Sequence, residues 1–307
     1  MYMLLSGIEF RVYGTQYQQK EQDMIEKVGV VGGGLMGSGV AEVNARAGKD
    51  VIVVESSASA VEAARARLTA SLQRAESRGK IESADAVLAR IRVVDDLTAL
   101  ADRDLVIEAI VEDETAKTEL FRRLDAIVAS PDAILASNTS SIPIMKLAVV
   151  TRRPTHVLGV HFFNPVPVLK LVELVPSLMT AKETTERARA YVEDDLGKQA
   201  IDCQDRAGFV VNMLLVPFIL SAIRMMESGF ATAEDIDQGL VLGAAHPQGP
   251  LALADLVGLD TVNAIADSLY DEFKEQLYTA PPLLNRMVDA GLLGRKTGRG
   301  FYTYETK

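Results

Sequence analysis

KVGVVGGGLMGSGVAEVNARAGKDVIVVE, residues 27–55, decides the fold. Residues 28–31 are a short apolar run that reads as a buried strand. Gly32, Gly34 and Gly37 follow in G-x-G-x-x-G spacing and lead into an Ala- and Val-rich segment that reads as a helix, with Gly48 as its stop. VIVVE is then a second strand, ending on Glu55. The chemistry follows from the spacing. Gly32 permits a tight turn, Gly34 lets the backbone approach a pyrophosphate, and Gly37 lets the helix pack on the strand, so the helix N-terminus faces the anion. Leu35 and Met36, which open the helix, count with the loop as cofactor-binding positions. Glu55 lies 18 residues beyond Gly37, where an acid can accept hydrogen bonds from an adenosine ribose. A carboxylate there repels a 2′-phosphate, so the expected cofactor is NAD rather than NADP.

The alternation continues outward. Residues 56–79 read as one long helix with Val61, Ala64, Leu68, Leu72 and Ala75 as its apolar stripe. Residues 91–94 and 105–110 read as strands, 115–129 as a helix, and AILASNTSSI as a strand running into a polar turn. Strands separated by helices imply a largely parallel sheet. From about residue 206 the pattern is helical throughout. The expected architecture is therefore α/β: a Rossmann-like domain over 27–205 and an all-helical domain over 206–307. Residues 1–26 read as a disordered leader outside the fold, without the basic start or cleavage site of a secretion signal.

A second constellation lies in HFFNPVPVLKLVE, residues 161–173. Pro165 and Pro167 forbid a helix and favour a turn, and LKLVELV resumes as an extended run. A hairpin tip near Pro167 would set His161 opposite Glu173, with side chains about 5 Å apart. Such a pair is either a general base with its orienting carboxylate or an incidental ion pair on a surface hairpin. Other polar positions carry two readings each. Ser140 and Ser141 either cap a helix or contact a ligand. Arg67, Ser71, Arg74 and Arg78 share one helix face, as a solvated surface or as a clamp for a phosphorylated ligand. Asn212, amid apolar neighbours, is a buried hydrogen bonder or a group aimed at a cleft.

Composition excludes several functions. The 307 residues carry a formal charge of −10, which argues against nucleic acid and anionic membranes as partners. No apolar run reaches the length of a membrane span. Cys203 is the only cysteine and the three histidines, 156, 161 and 246, form no close pair, so neither a disulfide nor a metal site is expected. This cysteine usage fits a reducing, cytoplasmic setting.

Taken in order, the glycine loop, SNTSS, HFFNPVP, Glu173 and GFVVN resemble the 3-hydroxyacyl-CoA dehydrogenase family, from about residue 27 to 307. The length resembles the family's stand-alone bacterial form. The resemblance implies reversible, NAD-dependent oxidation of an L-3-hydroxyacyl-CoA, 3-hydroxybutyryl-CoA in the stand-alone form, within fatty acid metabolism (β-oxidation). It implies that His161 is the catalytic base and Glu173 its partner, and that Ser140 and Asn212 meet the thioester and hydroxyl region. It implies that Asn164 lies beside the nicotinamide, that Glu112, Lys117 and Lys296 contact the cofactor, and that Ser71 and Arg78 hold coenzyme A. It also implies a homodimer built through the helical domain. Two positions depart from the family pattern. Met213 replaces an arginine, which bears on the support of Asn212, and Arg78 replaces a lysine of the same charge.

Two rivals stand beside this reading. A short-chain dehydrogenase would use Gly33, Gly37 and Gly39 with Tyr270 and Lys274 as Y-x-x-x-K, but that pair falls in the helical region. A non-catalytic NAD-binding protein would be expected to lack the base, whereas His161 and Glu173 are both present.

Overall fold

The structure, a computed structural model, describes residues 24–305. The expected leader lies, through residue 23, outside the described residues. Its last residues belong to the fold instead: Ile25 is buried, and the Glu26 N–H donates to Asp104. One compact unit ends at Asp205 and a second begins at Arg206.

The first unit runs β1 (Lys27–Val31), α1 (Leu35–Arg46), β2 (Asp50–Val54), α2 (Ala58–Ser77), α3 (Ala84–Leu88), β3 (Ile91–Val94), β4 (Leu105–Glu108), α4 (Glu114–Ile127), β5 (Ile134–Ser137), α5 (Ile144–Ala148), β6 (Val157–Phe162), β7 (Leu171–Pro176), α6 (Lys182–Ala190) and β8 (Gln199–Asp202). The eight strands form one sheet in the order β3-β2-β1-β4-β5-β6-β7-β8. All pairs are parallel except β6–β7. The sheet is mostly parallel and Rossmann-like, as the strand–helix alternation requires.

Helices on the sheet explain the composition of its strands. A strand buried on both faces reads as a continuous apolar run, and Val28, Val30, Val51, Val53, Val106 and Ile107 are fully buried. α2 shows the matching helical logic. The Ser57 hydroxyl accepts the Ala60 N–H at its start, and Val61, Ala64, Leu68 and Leu72 form the buried stripe. Each fully buried leucine there contributes roughly 1.5–3 kcal/mol. Because β1 lies between β2 and β4, the order of the strands reverses beside the glycine loop, and ligands of open α/β sheets bind at such a switch point.

The second unit comprises α7 (Val211–Glu227), α8 (Ala233–Ala244), α9 (Pro250–Val257), α10 (Leu259–Phe273) and α11 (Pro282–Asp289). Its core gathers Leu220, Ile223, Leu251, Val262, Ala266, Leu269 and Leu284. Buried Asp255 accepts the N–H groups of Phe301 and Tyr302 and the Tyr304 hydroxyl, which ties the C-terminal segment to the helices. Among the described residues no helix is long and apolar enough to cross a membrane.

Candidate active site

The glycine loop is built from main chain. Gly32 has φ +94°, and a Cβ there would meet the Ala109 carbonyl at 2.6 Å. A Cβ on Gly37 would sit 1.7 Å from the Gly32 carbonyl oxygen, whereas at Gly34 nothing lies within 4 Å. The outer two glycines are thus required by packing, and the middle one leaves open space where a pyrophosphate can approach the backbone. Glu55 closes the loop: its carboxylate accepts the Gly33 N–H at 2.7 Å and the Ser56 N–H at 3.1 Å. The Gly33 carbonyl accepts from Ser38 at 2.7 Å and from Arg67 at 2.6 Å. Arg67 is therefore bound to the loop rather than simply solvated on the α2 face. Gly32, Gly34, Glu55, Ser56, Ile110 and Arg123 line a cleft of about 670 Å³. An open cleft with the Glu55 carboxylate in its lining fits an adenosine with its ribose. Leu35 is exposed at the start of α1, with Met36 half-buried behind it.

Past β4 and β5 a chain of charges holds the polar turn. Glu108 is fully buried and accepts from Lys117 at 2.8 Å, from the Ser137 hydroxyl at 2.6 Å and from the Ile110 N–H at 2.7 Å. Lys117, 1% exposed, reaches Glu112 at 2.9 Å. Glu112 in turn accepts the Ser140 N–H at 3.0 Å, the Ser141 N–H at 3.2 Å and the Ser141 hydroxyl at 2.9 Å, together with the Thr139 hydroxyl. Burial pushes the Glu112 carboxyl up, but Lys117, Thr139 and Ser141 outweigh it and hold it below the usual carboxylate range. Breaking one partner out of the fully buried Lys117–Glu108 pair costs about 3–5 kcal/mol. Half-buried Ser140 is thereby fixed through its own backbone.

The capping role considered for Ser140 and Ser141 is not what the structure shows. α5 has no side-chain cap on its preceding residue, Pro143. Its N–H groups at Ile144 and Met145 donate instead to Asp205, at 2.6 and 2.8 Å.

The hairpin has the register expected from its prolines: β6 and β7 are antiparallel with His161 opposite Glu173. His161 Nδ1 and Glu173 Oε2 are 2.7 Å apart. His161 is 6% exposed and Glu173 fully buried, so the pair is not an incidental surface contact. The carboxylate accepts the Nδ1 proton and leaves the basic lone pair on Nε2, the tautomer a general base needs. Phe163 packs edge-on against the imidazole with ring centroids 4.6 Å apart. A link that sequence reasoning missed ties this strand to the polar turn: Asn138 Oδ1 accepts the Phe162 N–H at 2.8 Å. Membership of SNTSS was the only signal for Asn138. Asn164 is exposed on the turn beyond Phe163.

Among the remaining positions, Ser71 and Arg78 lie on α2 and at its C-terminal end, Ser71 half-buried and Arg78 exposed. Asn212 and Lys296 belong to the second unit. Asn212 stands half-buried in the first turn of α7, and the neighbouring Met213 packs against the helical core. Lys296 is paired with both carboxylate oxygens of Asp260. Tyr270 and Lys274, the rival pair, lie on and just beyond α10, with the Lys274 ammonium 5.3 Å from the Tyr270 ring centroid and paired with Asp271.

With this geometry in hand, residues 27–206 match the NAD binding domain of 3-hydroxyacyl-CoA dehydrogenase, and residues 208–304 match its C-terminal domain. The chain is 58% identical over 284 residues to a 3-hydroxybutyryl-CoA dehydrogenase of Mycobacterium tuberculosis, covering 92% of this chain and 99% of that one. It is 40% identical over 291 residues to the mitochondrial hydroxyacyl-coenzyme A dehydrogenase of Sus scrofa, covering 92% of each. The solved structure of an (S)-3-hydroxybutyryl-CoA dehydrogenase from Ralstonia eutropha superposes with a TM-score of 0.87 at 44% identity, covering 92% of this chain and 100% of that one.

Proposed function

The chain belongs to the 3-hydroxyacyl-CoA dehydrogenase family, and from that premise we propose how its residues divide the chemistry. The protein is an NAD-dependent 3-hydroxybutyryl-CoA dehydrogenase, an oxidoreductase acting on a CH–OH group. The observation that carries the residue assignment is the buried 2.7 Å bond between His161 Nδ1 and Glu173, on the same sheet as the glycine loop.

His161 Nε2 takes the proton of the 3-hydroxyl, and the carbonyl forms as C3 loses its hydride. That hydride is taken up by the nicotinamide when NAD is bound. Glu173 holds the ring in one tautomer and stabilises the imidazolium that results. In the reverse direction the imidazolium returns its proton to the developing alkoxide. Ser140 and Asn212 orient the substrate's oxygen atoms. Gly32, Gly34, Leu35, Met36, Gly37 and Glu55 hold the dinucleotide, with Asn164 beside its nicotinamide and Glu112, Lys117 and Lys296 as further cofactor contacts. Ser71 and Arg78 receive the coenzyme A portion of the (S), or L, thioester. The protein works as a cytoplasmic homodimer joined through its helical unit. Exposed Leu214, Phe230 and Leu242 on that unit support such pairing.

The test is the NADH absorbance on mixing with acetoacetyl-CoA, repeated with NADPH. Rapid loss of the NADH band and little change with NADPH are expected. A protein that binds NAD but leaves both bands intact would be the non-catalytic alternative.

A further inference from the structure

The turn joining β6 to β7 spans residues 163–170 and carries Asn164. Inside it the Pro165 carbonyl accepts the N–H groups of Val168 and Leu169, each at 3.0 Å. Two of its other carbonyls, of Val166 and Leu169, accept from one donor: the Lys198 ammonium lies 2.7 Å from both. Lys198 stands immediately before β8, the edge strand. Its own N–H donates to Val192 at 3.0 Å, and the Gln199 N–H donates to Lys170 at 2.9 Å, so the base of the lysine is fixed on two sides.

The setting opposes a charge. Lys198 borders a cleft of about 450 Å³ together with Arg46, Lys170, Asp194 and Asp195. Burial, and then the Arg46 guanidinium, hold its pKa below that of an ordinary lysine. Among the described residues no carboxylate is paired with it, and Asp195 is engaged by Lys49 at 2.9 Å. The ammonium is spent on main-chain carbonyls, where it fixes the shape of a turn.

An independent contact shows what that shape serves. Val166 is 2% exposed and packs on α1, where a Cβ added to Gly39 would lie 2.8 Å from the Val166 Cβ and 3.6 Å from Pro167. The turn is wedged between Lys198 and the helix that bears the glycine loop.

We propose that Lys198 is a positioning residue for the dehydrogenase reaction, holding the 163–170 turn so that Asn164 is presented beside the cofactor in step with His161. The proposal rests on the assignment of Asn164 to the nicotinamide side. Its test is a double-mutant cycle of Lys198→Met and Asn164→Ala, read by kcat and by KM for acetoacetyl-CoA with NADH. Lys198→Met should lower kcat about tenfold, the scale of hydrogen bonds from a charged donor, with KM for the thioester within about twofold. Lys198→Arg, which keeps charge and donors, should recover most of the loss. In the Asn164→Ala background Lys198→Met should add little, because both changes disable one element. If Lys198→Met does not fold, Lys198→Gln takes its place in the cycle. Normal kcat in the Lys198 variant beside an impaired Asn164→Ala would overturn the inference and leave the Asn164 assignment standing. Losses that multiply would also overturn it. A normal Asn164→Ala would remove that assignment and the inference together.

Discussion

The glycine loop and the His161–Glu173 hairpin share one sheet but are made of different material. The loop works through side chains that are missing. Gly32 and Gly37 leave room for backbone, and the groups offered to a ligand are main-chain N–H groups and one strand-end carboxylate. The hairpin works through side chains that are present, set opposite each other by cross-strand register and joined by a buried hydrogen bond. The difference teaches where damage should register. Changes in the loop should appear as cofactor affinity, and changes in the hairpin as rate.

The largest expected effect lies in the hairpin. His161→Ala should lose roughly 10²–10⁴-fold in kcat, the usual contribution of a general base. Calorimetric titration of the same variant should give a dissociation constant for NAD close to that of the unaltered protein. A parallel collapse of NAD affinity would break the separation between the two regions.

The loop supplies the next effect. Glu55→Ala removes a charged acceptor and the partner of the Gly33 N–H. NAD affinity should fall roughly ten- to hundredfold, as for hydrogen bonds to charged groups, while NADP affinity falls much less because a repulsion is removed as well. Equal losses for both cofactors would mean that Glu55 only shapes the loop.

The smallest effect belongs to the exposed end of α2. Arg78→Ala should raise KM for the CoA thioester about threefold at low salt with kcat unchanged, and the difference should fade at high salt, where exposed charges are screened. An unchanged KM at low salt would return this arginine to a solvated surface.

How much of this was legible depended on the range of the interactions. The loop was readable because its glycines, helix and acid are contiguous, and the 161–173 register was readable because two prolines fix the tip of a short hairpin. β8 was not foreseen: QAID alternates weakly at a sheet edge, with its two end residues exposed and its two middle residues half-buried, so no apolar run announces it. The serines of the polar turn can be read as helix caps or as ligand contacts, and local spacing alone favours the cap. In the fold that role passes to Asp205, 60 residues beyond Met145. Asn138 on the Phe162 N–H, Arg67 on the Gly33 carbonyl and Lys198 on the hairpin turn are likewise made by topology, and no local pattern displays them.

The central claim is that His161 moves the hydroxyl proton in both directions, and the most direct measurement is the pH dependence of hydride transfer with chemistry rate-limiting. Single-turnover NADH absorbance would be followed for oxidation of 3-hydroxybutyryl-CoA and for reduction of acetoacetyl-CoA from mildly acidic to mildly alkaline pH. Oxidation needs the neutral ring and should rise with pH, whereas reduction needs the imidazolium and should fall over the same interval. Both slopes should vanish in His161→Ala. Two directions with the same pH dependence, or opposite slopes that persist without the histidine, would contradict the account.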